Sequence, residues 1–390
     1  MIIVKKFGGS SVESIEKIKK IAEHIASEVN SDDQIVVIVS AMGKTTDELF
    51  SLAYQITSDP SQREMDMLVT AGERITMALL SLSLQQLGVS SISFTGSQSG
   101  ILTDNSHGNA KILSVNPYRV FEELDKGKVV IVAGFQGVST EREITTLGRG
   151  GSDTTAVSLA CFLRAGVCEI FTDVCGVYTA DPRVVPNARI IDEISSEEML
   201  YLALSGSKVL HSRAAEFSHK YHTPTRIKSS FVKSMGTEIF SKPESIDREN
   251  NMEESSVKAI AHKENLVEYK ISTDKIPSFS CEIFDISVCD GVIYIFVEEK
   301  YVVKFESELS KHEIKFINKN LRYTMINLSG YRINKDVQFL GQLYELLKSL
   351  CQEPFYIENN GIGVQIRVNQ NEGLEIVRSL HDKFIIGGSK

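Results

Sequence analysis

Residues 147–156 read Leu-Gly-Arg-Gly-Gly-Ser-Asp-Thr-Thr-Ala, and an apolar run from Val157 to Leu163 follows directly. Glycines allow backbone N–H groups to approach an anion closely, and the start of a helix favours negative charge. Arg149 adds a planar guanidinium that suits a carboxylate or a phosphate. The pattern is typical of an anion-binding turn that opens a helix, although a glycine-rich turn with a Ser or Asp cap has the same composition.

A second stretch of this kind lies at the start of the chain. Residues 1–7 form a short apolar strand pattern, residues 8–11 read Gly-Gly-Ser-Ser, and helical apolar spacing begins at Ile15. A strand, a glycine turn and a helix present backbone N–H groups to a phosphate. Lys6 is the last charged residue before the turn, so it either reaches the same anion or is a solvated lysine at a strand end.

The next strand is predicted over residues 34–41. Gly43-Lys44-Thr45 resembles part of a P-loop, but that motif requires glycine where Ile38 stands, and we reject it. Ser40 and Thr46 follow the strand's carboxyl end, where open α/β sheets bind their ligands.

A further strand, residues 169–174, leads into a loop that reads Cys-Gly-Val-Tyr-Thr-Ala-Asp-Pro-Arg. Thr172 and Asp173 end the strand, Tyr178 has a ring that suits a base or ribose, and Arg183 suits phosphate oxygens. A surface turn punctuated by proline is the alternative.

Two more charged residues are candidates for the site. Glu73 follows Gly72 inside a helical pattern over residues 62–87, so it is either a surface carboxylate or a buried one. Lys208 is predicted in the first turn of a helix, where a cation opposes the helix dipole unless an anion is bound.

Composition excludes several classes of protein. The 390 residues carry a net charge of −9, which argues against a nucleic-acid binder. The six cysteines form no CxxC pair and no zinc spacing, so we expect reduced thiols, no metal held by protein side chains and a cytoplasmic protein. Neither a signal peptide nor an apolar run of membrane-spanning length is found, and we expect no membrane association.

The composition of the chain and its hydrophobic pattern change after residue 240. Residues 241–256 are polar and are predicted to be a linker, and residues 257–390 alternate strand and helix patterns around a hairpin at Asp290-Gly291. The order βαββα occurs there about twice in imperfect form. We therefore predict a catalytic domain over residues 1–240 and a second α+β region over residues 257–390.

Taken together, four motifs resemble the aspartokinase family of the amino-acid kinase superfamily. They are KFGGSSV at residues 6–12, LGRGGSD at 147–153, TDVCGVYTADPR at 172–183 and KVLH at 208–211. The resemblance implies an α/β fold with a mainly parallel sheet between helices, followed by two ACT-like regulatory modules. It also implies phosphoryl transfer from MgATP to the side-chain carboxylate of L-aspartate, the first step toward lysine, diaminopimelate, threonine and methionine.

The resemblance also assigns roles to the candidate residues. Catalysis falls to Lys6 and Asp153. Aspartate binding falls to Ser40, Thr46, Glu73, Arg149 and Ser152. ATP binding falls to Lys6, Gly8, Gly9, Thr172, Asp173, Tyr178, Arg183 and Lys208, with Mg²⁺ held mainly by the nucleotide phosphates. Other implied properties are a homodimer or a dimer of dimers through the ACT-like region, and lysine as a feedback effector.

Only eight residues, 273–280, separate two strand patterns of the first ACT-like module. A helix that short is marginal without tertiary support, so we expect this module to be abbreviated and lysine feedback to be weakened or lost. Two alternatives remain open for the function. One is a related kinase that acts on glutamate or N-acetylglutamate, and the other is a non-catalytic amino-acid sensor.

Overall fold

The computed structural model describes residues 1–29, 33–240, 256–272, 277, 279, 281–289 and 291–387. These residues form two compact units. The first contains residues 1–177, 190–203 and 208–240, and the second contains residues 178–189, 204–207 and the described residues from 256 onward. The predicted linker, except for Ser256, lies outside the described residues.

Twelve strands and eight helices belong to the first unit, with the last residue of α7 counted in the second. The strands are β1 (Ile2–Phe7), β2 (Gln34–Val39), β3 (Ser91–Phe94), β4 (Ile101–Thr103), β5 (Ile112–Val115), β6 (Val129–Ala133), β7 (Gln136–Ser139), β8 (Ile144–Thr146), β9 (Val167–Thr172), β10 (Glu193–Ser195), β11 (Thr225–Ser229) and β12 (Thr237–Phe240). The helices are α1 (Ile15–Glu28), α2 (Thr45–Ile56), α3 (Gln62–Val69), α4 (Ala71–Gln86), α5 (Tyr118–Leu124), α6 (Gly151–Phe162), α7 (Ser196–Leu204) and α8 (Ser212–Tyr221).

Eight strands of this unit form one sheet in the order β10-β12-β11-β9-β1-β2-β6-β3. All neighbours are parallel except β11 and β12. The central strands β2 and β6 are apolar along nearly their whole length, as expected for parallel strands that are covered on both faces. The predicted mainly parallel sheet is thereby confirmed.

Helices cover both faces of the sheet. Phe7, Val37 and Ile131 pack with Ile21 of α1 and Leu80 of α4 in one buried cluster. On the other face, α6 packs against β1, β2 and β9, and α8 packs against α6. Because side chains alternate along a strand, this arrangement turns Lys6 of β1 toward α6 while Phe7 faces α1.

A smaller sheet has the order β5-β4-β7-β8. Residues 103–116 have the composition of a long loop, but Ile112–Val115 is the edge strand β5, paired antiparallel with β4. Two of its four residues are exposed, so β5 lacks the clean hydrophobic alternation by which a strand is recognised in sequence.

Helices α3 and α4 together cover Gln62–Gln86, a segment long and apolar enough to cross a membrane by length and composition. Half of its most apolar window is buried inside the protein, as is usual for a core helix of a soluble protein.

The second unit contains one antiparallel sheet in the order β14-β15-β13-β16-β18-β17 and three described helices. The strands are β13 (Ser256–Ile271), β14 (Asp285–Cys289), β15 (Val292–Glu298), β16 (Phe316–Tyr331), β17 (Tyr356–Asn359) and β18 (Gly363–Asn369), and the helices are α9 (Val302–Lys311), α10 (Val337–Leu350) and α11 (Gln370–His381).

Two of the hydrophobic clusters that the described residues form lie at different points along the long central strands of this sheet. Ile260 and Ile326 pack with Leu343 of α10 in one cluster. Tyr269 and Phe305 belong to the other cluster, which includes α9. Strands β13 and β16 thus each contribute to both halves of the unit, in agreement with an imperfect duplication of one α+β pattern. The stretch predicted to lack a helix lies outside the described residues, apart from positions 277 and 279.

Candidate active site

The carboxyl ends of three central strands and the turns that follow them are joined by backbone hydrogen bonds. The N–H of Gly8 donates to the carbonyl of Phe171 at 3.3 Å, and the N–H of Ser40 donates to the carbonyl of Phe7 at 3.2 Å. Parallel strands end at a common edge, and ligands of open α/β sheets bind there. The fold therefore gathers the turns after β1, β2 and β9 at one edge of the sheet.

The site holds one buried ion pair. Nζ of Lys6 lies 2.6 Å from Oδ1 of Asp153, and the two side chains are 11% and 15% exposed. The contact is ionic, without the geometry of a directed hydrogen bond. A Cβ at Gly8 would lie 3.3 Å from Lys6 Nζ, so glycine at this position leaves room for the ammonium group.

The turn before α6 has a backbone that favours glycine. Gly148 and Gly150 have φ angles of +75° and +68°, in the left-handed region. Between them Arg149 is exposed, and its guanidinium makes no hydrogen bond or ion pair with any residue that the structure describes. The turn therefore presents a cation that is available to an acidic ligand.

Ser152 lies in the first turn of α6 and is buried against the end of β6. A Cβ added to Gly134 would lie 2.7 Å from Ser152 Oγ. The next residue, Phe135, has a positive φ of 69°, which is uncommon for a bulky side chain. Gly134 and Phe135 carry no local sequence signal of a binding residue, although both directly follow the apolar run of residues 129–133.

Glu73 is buried in the first turn of α4, and the surface alternative from the sequence is wrong. Its Oε1 accepts a hydrogen bond from the N–H of Ala41 at 3.1 Å. Its Oε2 is buried and has no hydrogen-bond partner within the described part of the chain. Burial raises the pKa of Glu73 from 4.5 to about 7. A cationic ligand would provide the missing partner and favour the ionised form.

The remaining substrate candidates flank this carboxylate. Ser40 directly precedes Ala41, and Thr46 lies in the first turn of α2. A Cβ at Gly72 would lie 2.7 Å from the Cβ of Ala41, so the start of α4 and the β2–α2 loop are in close contact. This packing brings Glu73 to the loop that carries Ser40 and Thr46.

The nucleotide candidates of the first unit lie in two segments. Thr172 ends β9 and its Oγ1 donates to Asp173 Oδ1 at 3.0 Å. Lys208 was predicted in the first turn of a helix, but α8 begins at Ser212 and Lys208 lies in the bend before it. The side chain of His211 caps α8, which fixes its start there. Because Lys208 lies before α8 begins, the dipole of that helix gives no reason to expect an anion beside it.

Tyr178 and Arg183 belong to the second unit. Within that unit, Arg183 donates two side-chain hydrogen bonds to Asp181, at 3.0 and 2.6 Å. Thr179 Oγ1 lies 2.9 Å from Nε2 of the buried His381. The motif resemblance assigned residues 178–183 to the nucleotide site, and in the structure this segment contacts α11 through Thr179.

One charged cluster was missed by the sequence analysis. Asp66 is 1% exposed and accepts from Thr146 Oγ1 at 2.5 Å and from the N–H of Gly108 at 3.1 Å, and its Oδ2 lies 2.7 Å from His107 Nδ1. No other histidine stands at ligand spacing from His107, so the sequence alone indicates an ordinary loop histidine. Its partner is 41 residues away in sequence, a separation that no local pattern reveals.

Within the described ranges, no three His, Cys, Asp or Glu side chains come together in a way that could hold a metal ion. Among the candidate site residues, Asp153 pairs instead with Lys6, Glu73 accepts from a backbone N–H group and Asp173 accepts from a hydroxyl group.

Comparison with known proteins agrees with this geometry. A sequence model of the amino acid kinase family matches residues 1–229. An aspartokinase of Corynebacterium efficiens is 39% identical over 415 aligned positions, which cover 100% of this chain and 97% of the relative. Two solved structures of E. coli aspartokinase III, each covering 98% of this chain and 99% of the solved chain, share the fold. The one in complex with aspartate and ADP (R-state) has a TM-score of 0.79 at 22% identity, and the one with lysine and aspartate (T-state) has 0.72 at 21%.

The family match covers more than half of the chain, and the Corynebacterium relative covers all of it. The chain belongs to the aspartokinase family of the amino acid kinases.

Proposed function

We propose that the protein is an aspartate kinase, which transfers the γ-phosphoryl group of MgATP to the side-chain carboxylate of L-aspartate. One carboxylate oxygen forms the new bond to the γ-phosphorus, the bond from that phosphorus to the β–γ bridging oxygen breaks, and ADP leaves with 4-phospho-L-aspartate as the product. The observation that carries the proposal is the buried Oε2 of Glu73, a carboxylate oxygen that lacks a hydrogen-bond partner among the described residues. An α-ammonium group would satisfy such an oxygen with both a hydrogen bond and an opposite charge.

The substrate is bound through its amino-acid end. Glu73 pairs with the α-ammonium, and Arg149 binds the α-carboxylate through its guanidinium fork. Ser40, Thr46 and Ser152 donate hydroxyl hydrogen bonds to the remaining oxygens. No general base is needed, because the accepting carboxylate is ionised at neutral pH.

Transfer of a phosphoryl group relies on alignment and on neutralisation of the charge on the equatorial oxygens. Lys6 supplies that charge, and Asp153 holds the Lys6 ammonium in place through the 2.6 Å contact. The backbone of Gly8 and Gly9 borders the transferred group. A Cβ at Gly9 would lie 3.2 Å from the carbonyl oxygen of Ala41, so a side chain there would crowd the turn.

Thr172, Asp173 and Lys208 are proposed to contact the nucleotide. For Tyr178 and Arg183 the same role rests on the motif resemblance alone. Mg²⁺ would be held mainly by the nucleotide phosphates and would supply further charge neutralisation.

Three further proposals concern the protein in its cell. We place it in the cytoplasm and infer a homodimer or a dimer of dimers assembled through the second unit. Lysine is the candidate effector, since E. coli aspartokinase III has been solved in complex with lysine. The short segment over residues 273–280 suggests that this feedback is weakened.

An ATP-dependent hydroxamate assay with L-aspartate, L-glutamate and N-acetyl-L-glutamate side by side tests the reaction. Activity on L-aspartate alone is expected. N-acetyl-L-glutamate has no ammonium group for Glu73, so preference for it would contradict the assigned pocket. Bound ATP without turnover on any acceptor would instead favour the sensor function.

A further inference from the structure

Arg213, in the first turn of α8, holds the turn that carries Arg149. Its guanidinium donates to the carbonyl oxygen of Leu147, to Asn109 Oδ1 at 3.3 Å and to the carbonyl oxygen of Ala110 at 2.8 Å. It makes no ion pair with a carboxylate of the described chain. A fork that bridges two backbone carbonyls is an arrangement that a lysine cannot reproduce.

The same turn is held from its other side. The N–H of Leu147 donates to the carbonyl of Phe135 at 2.8 Å, so both polar backbone groups of Leu147 are engaged. The N–H of Ala110 donates to the carbonyl of Thr146 at 2.8 Å, which ties the neighbouring loop to the start of the turn.

Close packing leaves the turn little freedom. A Cβ at Gly148 would lie 2.8 Å from Asn109 Oδ1, and a Cβ at Gly150 would lie 2.0 Å from Cγ of His211. The turn is therefore enclosed between the Asn109 loop and the start of α8. The Arg149 side chain, in contrast, is exposed and makes no hydrogen bond or ion pair with any residue that the structure describes.

We propose that Arg213 is a positioning residue for aspartate binding, which sets the backbone of the Leu147–Gly150 turn and thereby aims Arg149 at the substrate's α-carboxylate. The inference rests on the proposed function. A displacement of about 1 Å at a reacting centre costs up to about 100-fold in rate, so a small rearrangement of this turn is enough to be measured. Burial lowers the pKa of Arg213, in agreement with a guanidinium that is enclosed by the protein.

Steady-state kinetics of Arg213→Lys and Arg213→Ala, with the KM for L-aspartate and the KM for ATP determined separately, test the inference. We expect the KM for aspartate to rise about 10- to 100-fold and the KM for ATP to change less than about twofold. Guanidinium ion at low millimolar concentration should restore part of the aspartate affinity that Arg213→Ala has lost. It should leave the aspartate affinity of the wild type unchanged. Arg226→Lys is the matched control, because Arg226 pairs with Glu238 at the surface of the same unit.

If Arg213→Ala does not fold, Arg213→Lys and Asn109→Ala test the inference in its place. Asn109→Ala removes one hydrogen-bond acceptor of the Arg213 guanidinium. Both should raise the KM for aspartate, and amide hydrogen exchange of residues 148–151 should accelerate in Arg213→Lys. Equal increases in both KM values, or no change in either, would overturn the positioning role of Arg213. The proposed function would be unaffected by that outcome as long as the wild type phosphorylates aspartate. A wild type inactive on aspartate would overturn the proposed function, and this inference with it.

Discussion

Asp153 Oδ1 lies 2.6 Å from Lys6 Nζ, across 147 positions of sequence and between the first strand and helix α6. The pair joins the two glycine motifs that the sequence presents separately. Removing the Lys6 ammonium, with Lys6→Ala, should reduce kcat by about 100- to 1,000-fold, because its charge acts on the transferring phosphoryl group.

The affinity of Lys6→Ala for ATP should change only a few-fold, measured by equilibrium binding of the nucleotide. Lys126→Ala is a suitable control, since Lys126 forms an exposed ion pair with Glu123. Near-normal turnover in Lys6→Ala would contradict the role assigned to Lys6.

Glu73 should make aspartate binding pH-dependent. Its pKa is raised to about 7 by burial, so protonation below that pH removes the charge that pairs with the α-ammonium. We expect kcat/KM for aspartate to fall as the pH decreases through about 7. Glu73→Gln should lower kcat/KM about 100-fold and remove this inflection, whereas the exposed Glu64→Gln should leave it in place. An unchanged pH profile in Glu73→Gln would assign the titration to another group.

Ionisation of Glu73, which favours aspartate binding, should lower the stability of the folded protein. Between its ordinary pKa of 4.5 and its folded value of about 7, the folded protein keeps the Glu73 proton that the unfolded chain releases, so stability falls as the pH rises through this window. Without substrate, Glu73→Gln should be more stable than wild type by up to about 3 kcal/mol above pH 7 and should match it below pH 4.5. Chemical denaturation at pH 4.5 and pH 8 would check this, and equal differences at the two pH values would contradict it.

Gly134→Ala should impair the aspartate site. The new Cβ would lie 2.7 Å from Ser152 Oγ and 2.8 Å from its Cβ, so the first turn of α6 would have to move. We expect kcat/KM for aspartate to fall at least about 10-fold. Gly341→Ala is the matched control, because a Cβ there meets no atom within 4 Å inside helix α10. That control should stabilise the protein by up to about 1 kcal/mol without changing activity.

Feedback by lysine should be weak or absent. The family resemblance implies a helix between two strand patterns of the first ACT-like module, and in the sequence only eight residues, 273–280, separate those patterns. Isothermal titration with L-lysine should show no tight saturable binding, and the hydroxamate assay should be insensitive to added lysine. Tight, saturable binding of lysine would contradict this prediction. Binding of threonine in a parallel titration would show that the effector preference is altered.

Much of the fold could be predicted from local patterns. Apolar runs such as Ile35–Val39 and helical spacing such as Ile18, Ile21, Ile25 report burial on a strand or a helix directly. The weak edge strand at Ile112–Val115 and the start of α8 were missed, because both depend on neighbours that are distant in sequence. The packing of Tyr178–Arg189 with the second unit had no sequence signal for the same reason.

By itself, the sequence determined the glycine turns, the residue types of the site and the family. These follow from spacing within single segments, where backbone freedom and charge act locally. Only the tertiary structure decided that Glu73 is buried with one oxygen that has no hydrogen-bond partner among the described residues, and that Asp153 contacts Lys6. It alone also decided that Arg213 holds the turn of Arg149. Burial and hydrogen bonding between distant segments arise only when the sheet brings them together, because the energy of a buried charge depends on everything that surrounds it.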